Sequence, residues 1–508
     1  MQNIVNDLNS IIWSPAFIGL FLAAGLFYSI ATRFVQVRQF REMTRLLLNN
    51  KDSARGISSF QALTMSLSGR VGTGNIAGVA AAIGFGGPGA VFWMWVVAFL
   101  GAATAFVEAT LAQIYKEVHN GQYRGGPAYY IEKAMGQKWY AWVFAIATII
   151  ACGFLLPTVQ SNAIGNAVEQ ALGSGAVVDT VLGQLSTTKI LTGLGVITLL
   201  GIIVFGGVKR IAHFTQIAVP FMALAYILAA CTIIAIHIDQ VPAMFALILG
   251  DAMNPMAGVG AAIGWGVKRG VYSNEAGQGT APHAAAAAEV KHPAQQGLVQ
   301  AFSVYIDTLF VCSATAFMIL ITGTYNVGTE QSGFLVQNLA ASVEANSPAF
   351  TQLAIESVAP GVGNSFVAVA LFFFSFTTLL AYYYIAESNL AYMERTLKIP
   401  HAMTALKIGL MAMVFYGTVK TANLAWGLGD IGVGLMAWVN IIAMIIIFFI
   451  GRPAIKALRD YEEQKSAGIK NYEFLPEKLG IENAGFWKNE VSAEQQNQPN
   501  DRPQNQHQ

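Results

Sequence analysis

The chain predicts an all-α membrane protein of eleven transmembrane helices, a five-plus-five inverted-repeat transporter core with two broken helices plus one extra N-terminal helix. Three observations predict it. The 508 residues are 55% hydrophobic and only 11% charged, against roughly 25% charged in an average soluble domain. Long apolar runs, among them 11–31, 190–205, 217–238 and 424–450, approach or exceed the ~20 residues that cross a bilayer's hydrocarbon core. Two other apolar segments are interrupted at Gly-rich stretches, 69–75 and 264–279.

Hydropathy, punctuated by Gly, Pro and charge, places the spans at 12–34, 64–84, 88–115, 139–171, 190–208, 213–238, 257–288, 296–323, 362–391, 403–420 and 424–450. The first has no basic stretch before it, Asp7 being the one preceding charge, and it exceeds a signal peptide's apolar length. It is read as a retained helix. Orientation follows from Lys and Arg. With the N-terminus outside and the C-terminus inside, 24 of the 29 basic residues fall in cytoplasmic segments, only Lys189 and Lys420 lie outside, and 323–361 holds neither Lys nor Arg. The positive-inside rule requires that asymmetry, and a bacterial cytoplasmic (inner) membrane is the expected location. Residues 1–56 form the extra helix and a basic cytoplasmic linker. Residues 57–455 form the core, with repeats at about 64–238 and 257–450. Residues 456–508 form a cytoplasmic tail whose Gln/Asn-rich end, about the last 20 residues, is expected to be disordered.

Several function classes are excluded. A net charge of +1 without a basic, aromatic-rich patch offers nothing to nucleic acid. Cys152, Cys231 and Cys312 sit alone in apolar segments and are read as buried small hydrophobes. No HExxH pair, nucleophile–base constellation or GxxxxGK[ST] loop occurs, so no enzyme and no cofactor are expected and an ion gradient must supply the driving force. A channel, or a proton-coupled transporter of another small amino acid, stays as the alternative, since broken helices also line pores; the acidic rings or filter sequence that would favour a channel are not present. No feature specifies an oligomer.

The second span runs Leu67-Ser68-Gly69-Arg70-Val71-Gly72-Thr73-Gly74-Asn75-Ile76-Ala77-Gly78. Each Gly weakens a helix by about 1 kcal/mol relative to Ala. Backbone groups freed by unwinding cannot be satisfied by lipid, so such a segment must line a protein or hydrated cavity. Amides around 73–76 would then present a positive dipole end to a carboxylate, and the carbonyls before them would suit a hard cation. Close packing of small residues is the competing explanation. The seventh span has a comparable interruption, from Gly264 through Gly279, and two broken helices at corresponding positions point to an inverted repeat with a midplane site. Arg70, Lys268, Arg269 and Glu275 are read as gating or capping groups joined by mutual ion pairs. Glu108, Asp307 and Glu387 are read as solvated or locally paired carboxylates toward cytoplasmic ends. In the ninth span the Phe374 carbonyl and the Thr377 and Thr378 hydroxyls share a helix face. They either complete a sodium site or bond back to their own helix.

These residues resemble the alanine or glycine:cation symporter family of bacteria and archaea. Gly86-Gly87-Pro88-Gly89-Ala90-Val91-Phe92-Trp93-Met94-Trp95 looks like the family signature, and 68–75 and 273–277 look like family motifs. The resemblance spans roughly 60–455. It implies a secondary active symporter that imports a small neutral amino acid (alanine, glycine or similar) with Na⁺, or in some members H⁺, by alternating access. It further implies that Thr73, Gly74 and Asn75 meet the substrate carboxylate. Ser273, Asn274 and Gly277 would help to hold the amino group, and Gln160 and Tyr382 would face the substrate. Sodium would be held by the backbone oxygens of Ser68 and Val71 with Phe374, Thr377 and Thr378. Many members carry Ser-Thr followed by Gly-Trp where this chain has Thr377-Thr378 and Ala381-Tyr382. A Trp-to-Tyr change beside the pocket enlarges it or adds a hydroxyl, so serine or a larger neutral residue stays open as substrate.

Overall fold

The computed structural model describes residues 2–47, 56–119, 121–180 and 183–488. The Gln/Asn-rich end and residues 48–55 of the basic linker lie outside the described residues. Among the described residues, eight helices are long and apolar enough to cross a membrane: Ala90–Ile114, Lys138–Leu172, Thr187–Val204, Val208–Ile236, Pro293–Thr322, Gly363–Glu394, Ala402–Val419 and Ala422–Gly451. Their ends fall within a few residues of the expected spans. The pair Gln2–Ile12 and Pro15–Ala31, bent by 44°, makes a ninth if taken as one span. The bend comes just before Pro15, which lacks the N–H that would continue the first helix.

The expected second and seventh spans are missing from that set because both are broken. Ser59–Arg70 gives way and helix resumes at Gly74–Gly86, while Val259–Asn274 stops and resumes only at Ala281–Ala287. The start of the first half-helix is fixed by a reciprocal cap. The Ser58 hydroxyl accepts from the Gln61 N–H at 3.1 Å and the Gln61 side chain accepts from the Ser58 N–H at 3.0 Å.

Helix Ala90–Ile114 is the hub of one bundle, packed against Pro293–Val304, Val259–Asn274, Ala281–Ala287 and Pro15–Ala31. Half of its buried residues from Gly101 through Ala112 are Gly or Ala, so neighbouring backbones approach closely there. A Cβ on Gly101 would stand 3.0 Å from the Ala276 side chain. Helix Leu156–Leu172 is a second hub, against Gly363–Glu394, Ala402–Val419 and Ala422–Gly451. Thr187–Val204 and Val208–Ile236 are peripheral and turn Leu191, Leu194, Ile202, Phe221 and Leu224 outward. Outward-facing apolar stripes on long helices fit hydrocarbon as the surrounding solvent.

Several elements between and beyond the spans were not anticipated. Helix Val241–Met253, helix Ala349–Val358 and the hairpin of Asn326–Thr329 with Gly333–Gln337 fill two of the connections. Helix Pro453–Ser466 folds back beneath the core. There Tyr461 and Lys465 engage Glu42 at 2.6 and 2.9 Å, Asp460 meets His292 at 3.0 Å, and the Trp487 indole donates to the Gln113 carbonyl at 2.9 Å. Of the three cysteines read as buried, Cys152 and Cys312 are, but Cys231 is exposed on its helix. A single apolar residue in a span carries no signal for which face it takes.

Candidate functional site at the two helix breaks

The first break arises because two amides are diverted from the helix ladder. In an unbroken helix the Gly72 N–H would bond the Ser68 carbonyl and the Thr73 N–H the Gly69 carbonyl. Instead the Gly72 N–H donates to Asn75 Oδ1 at 2.8 Å and the Thr73 N–H to Gln160 Oε1 at 3.0 Å. The freed Ser68 carbonyl accepts from the Thr378 hydroxyl at 2.7 Å. A wide π-helical turn, Gly74–Gly78, then restarts the helix, a distortion common at functional sites. Gly72 must be glycine, since a Cβ there would meet Thr378 Oγ1 at 2.5 Å and Gln160 Oε1 at 2.9 Å.

The second break is held open by side chains that replace helical partners. Glu275, Gly277 and Gly279 adopt positive φ of 55°, 80° and 84°, a region in which glycine is favoured and Glu275 is strained. The Gln278 amide donates to the Val271 carbonyl at 2.6 Å, and Asn274 Oδ1 accepts from the Ala276 N–H at 3.0 Å. The Gly277 N–H donates to Glu108 at 3.2 Å, its carbonyl accepts from Asn440 at 3.0 Å, and Tyr130 donates to the same Asn440.

The two breaks touch. A Cβ on Gly74 would lie 3.1 Å from the Tyr272 ring and 3.3 Å from Ser273 Cα. Thr73, Gly74, Asn75, Gln160 and Ser273 are therefore brought together, with Tyr382 buried and facing Gln160 and Glu275. Asn274 and Gly277 are engaged in holding the second break itself. Asn75 does not present its side chain to a ligand in this conformation: its Nδ2 donates to Asp307 at 2.6 Å. For the cation set, Ser68 and Phe374 carbonyls converge on Thr378 Oγ1, at 2.7 and 2.9 Å. One hydroxyl hydrogen serves only one carbonyl at a time, so this all-oxygen cluster is short of donors and suits a hard cation. The buried Val71 leaves the helix at φ −79°, ψ 87°. The Thr377 hydroxyl bonds the Phe373 and Phe374 carbonyls of its own helix at 3.0 and 2.9 Å.

The buried charges are arranged differently from expectation. Lys268 and Arg269 do not pair with Glu275: Asp430 takes both, at 2.6 Å and at 3.0 and 3.1 Å, while the Trp426 ring lies 4.2 Å from the Arg269 guanidinium. Arg70 donates to the Gln300 carbonyl at 3.1 Å and to Ser303. Glu387 is locally paired as expected, 3.0 Å from Arg124. Glu108 and Asp307 are not solvated, each being 0% exposed and directly hydrogen-bonded to a break. Depth along a span was legible; the face on which each carboxylate lies was not. Asp430 was passed over, although a lone acidic residue within the apolar 424–450 run was a visible signal.

The sodium:alanine symporter family matches residues 1–475. A Bacillus subtilis (strain 168) protein, YrbD, provisionally described as a sodium/proton-dependent alanine carrier, is 56% identical over 498 residues, covering 97% of this chain and 99% of its own. A sodium/proton-dependent alanine carrier protein of Bacillus sp. (strain PS3) is 49% identical over 451 residues, 88% of this chain and 97% of its own. A sodium/alanine symporter of Methanococcus maripaludis, AgcS, is 34% identical over 453 residues, 88% and 94% of the two chains.

Proposed function

The chain belongs to the sodium:alanine symporter family, a family of transporters, and from that premise we propose that it imports alanine, glycine or a similar small neutral amino acid together with sodium. It does so by alternating access through eleven spans, N-terminus outside and C-terminus inside, with the repeats at about 64–238 and 257–450. The observation that carries this reading is the diversion of the Gly72 and Thr73 amides, which creates a cation-seeking carbonyl at Ser68 and a carboxylate-seeking amide at Thr73 within one break.

Gln160 Oε1 stands where a substrate carboxylate oxygen would accept from the Thr73 N–H. Substrate entry displaces it. Thr73, Gly74 and Asn75 then bind the carboxylate. Gln160, with its carbonyl released, turns to the ammonium group beside the segment of Ser273, Asn274 and Gly277. Tyr382 bounds the side-chain pocket. Sodium takes the oxygens of Ser68, Val71 and Phe374 with the Thr378 hydroxyl, and the Thr377 hydroxyl joins them by giving up its bonds within its own helix. Coupling follows because cation and substrate both require the same unwound residues. The names of two relatives include proton dependence, which keeps a proton as second coupled cation.

Uptake of radiolabelled alanine, glycine, serine and glutamine into proteoliposomes, with and without an inward Na⁺ gradient, tests the reading. Na⁺-dependent accumulation of at least one is expected. Leak of inorganic ions with no amino-acid accumulation under any gradient would overturn it in favour of a channel.

A further inference from the structure

Three buried carboxylates, Glu108, Glu275 and Asp307, face one guanidinium, that of Arg70. With all of them ionised the cluster has an excess of two negative charges in a region closed to water, which calls for compensating cations. A sodium ion at Ser68 and Thr378 supplies one charge at most. The other excess charge rests at Asp307, where three hydrogen-bond donors hold it for as long as they stay in place.

Asp307 lies in the π-helical stretch Tyr305–Cys312, and its carboxylate is the point where both broken helices meet a third. Asn75 from the first break donates to Oδ1 at 2.6 Å, Ser273 from the second donates to Oδ2 at 2.9 Å, and the neighbouring Thr308 hydroxyl donates to Oδ2 at 2.7 Å. Asn75 Oδ1 is committed to the Gly72 N–H, so its amide group must face Asp307 with the NH₂ side. The Cys312 sulfur sits 3.1 Å from Ser273 Oγ and 3.3 Å from Asn75 Nδ2. An amide NH₂ and a thiol are poor ligands for a hard cation. A proton needs only the rotation of one hydroxyl.

Resting on the symporter reading above, we propose that Asp307 is a proton-binding site, ionised in the conformation described and protonated when the two breaks move apart, so that one proton travels with each substrate. Asn75 and Ser273 belong to different broken helices, so relative motion withdraws at least one donor. The carboxylate then takes a proton from water admitted on the open side, forming an O–H bond, and the Thr308 hydroxyl turns to accept it. Return of the donors destabilises the protonated form, and the O–H bond breaks as water reaches Asp307 from the opposite side. Around Asp307, Ser59–Arg70 contributes Arg70, the second break Glu275, its own stretch the Cys312 thiol, and Ala90–Ile114 contributes Glu108 beyond Arg70. Val208–Ile236 contributes the Tyr226 phenol, 2.7 Å from Thr315, which bonds the Asn75 carbonyl. Lys268 and Arg269 of Val259–Asn274 are taken by Asp430. Pro293–Val304 and Ser313–Thr322 carry no charged side chain.

The test uses full-length protein in proteoliposomes containing a pH-sensitive dye, with equal Na⁺ on both sides, clamped membrane potential and radiolabelled alanine. About one proton per alanine is expected for the unaltered chain. In Asp307→Asn the protons carried per alanine fall at least tenfold, and in Asp307→Glu the ratio stays within about twofold. Alanine uptake without protons in the unaltered chain overturns the proposal and leaves the symporter reading intact, as does a preserved ratio in Asp307→Asn. No amino-acid accumulation under either gradient overturns the symporter reading itself. If neither Asp307 variant transports, Thr308→Val decides: its pH of half-maximal proton-driven uptake must move by at least about half a unit, and an unmoved profile overturns the proposal.

Discussion

Replacing Thr378 by Val removes one oxygen at nearly constant volume and isolates the cation site from the rest of the break. The hydroxyl lies 2.7 Å from the Ser68 carbonyl and 2.9 Å from the Phe374 carbonyl, so in the loaded site it is a neutral oxygen ligand to a full charge. Interactions of that kind contribute roughly 1.5–3 kcal/mol each. At 1.4 kcal/mol per factor of ten, the half-saturating Na⁺ concentration for alanine uptake should rise roughly 10- to 150-fold. Maximal uptake at saturating Na⁺ should change less. Thr377→Val serves as the internal comparison. That hydroxyl already bonds two carbonyls of its own helix, so its recruitment carries a competing loss and the shift should be about threefold. The assay is initial-rate uptake in proteoliposomes against Na⁺ concentration at fixed ionic strength. An unchanged half-saturation in Thr378→Val, or a larger shift in Thr377→Val, refutes the assignment.

Gly72→Ala places a Cβ 2.5 Å from Thr378 Oγ1 and 2.9 Å from Gln160 Oε1, so uptake should drop at least ~10-fold through simultaneous damage to cation and substrate contacts. Gly78→Ala, whose nearest neighbour would be 3.5 Å away, should stay within about twofold; equal effects of the two would contradict the close approach at the break. Asp430→Asn leaves Lys268 and Arg269 buried without a counter-charge and should lower stability by roughly 3–5 kcal/mol, read as a fall in melting temperature of the solubilised protein. Burial alone would raise the Glu42 carboxyl, but hydrogen bonds from Arg45, Tyr461 and Lys465 hold it at about 2, and burial keeps His292 beside Asp460 below its ordinary 6.5. Both groups favour docking of Pro453–Ser466 at high pH. Docking should weaken as pH falls below about 6.5 through His292, and through Glu42 only between 4.5 and about 2. Hydrogen-exchange protection factors of residues 453–466 that are flat from pH 7 to 5 would count against this.

Much of the scaffold was legible because hydrocarbon imposes simple rules. A span must be long, apolar and internally hydrogen-bonded, so 88–115, 296–323 and 362–391 match Ala90–Ile114, Pro293–Thr322 and Gly363–Glu394 closely. The breaks were legible because glycine, charged and polar residues crowd together within a few positions of an otherwise apolar run. Less was legible where residues distant in sequence meet. Lys268 and Arg269 were expected to find Glu275 a few residues away, yet they cross to Asp430, since Glu275 turns off the helix end at φ 55° and a neighbouring helix offered the better-placed carboxylate.

The sequence by itself determined that the chain lives in a bilayer, roughly where it crosses, and which two segments are the candidate breaks, because those properties follow from local composition and from the absence of water to satisfy a freed backbone. Only the tertiary structure decided what replaces the missing helical partners. Asn75, Gln160 and Thr378 take the diverted groups of the first break, Glu108, Asn440 and Gln278 those of the second, and Asp307 joins the two. A buried polar group must find a partner, but which partner depends on helix rotation and packing between segments hundreds of residues apart.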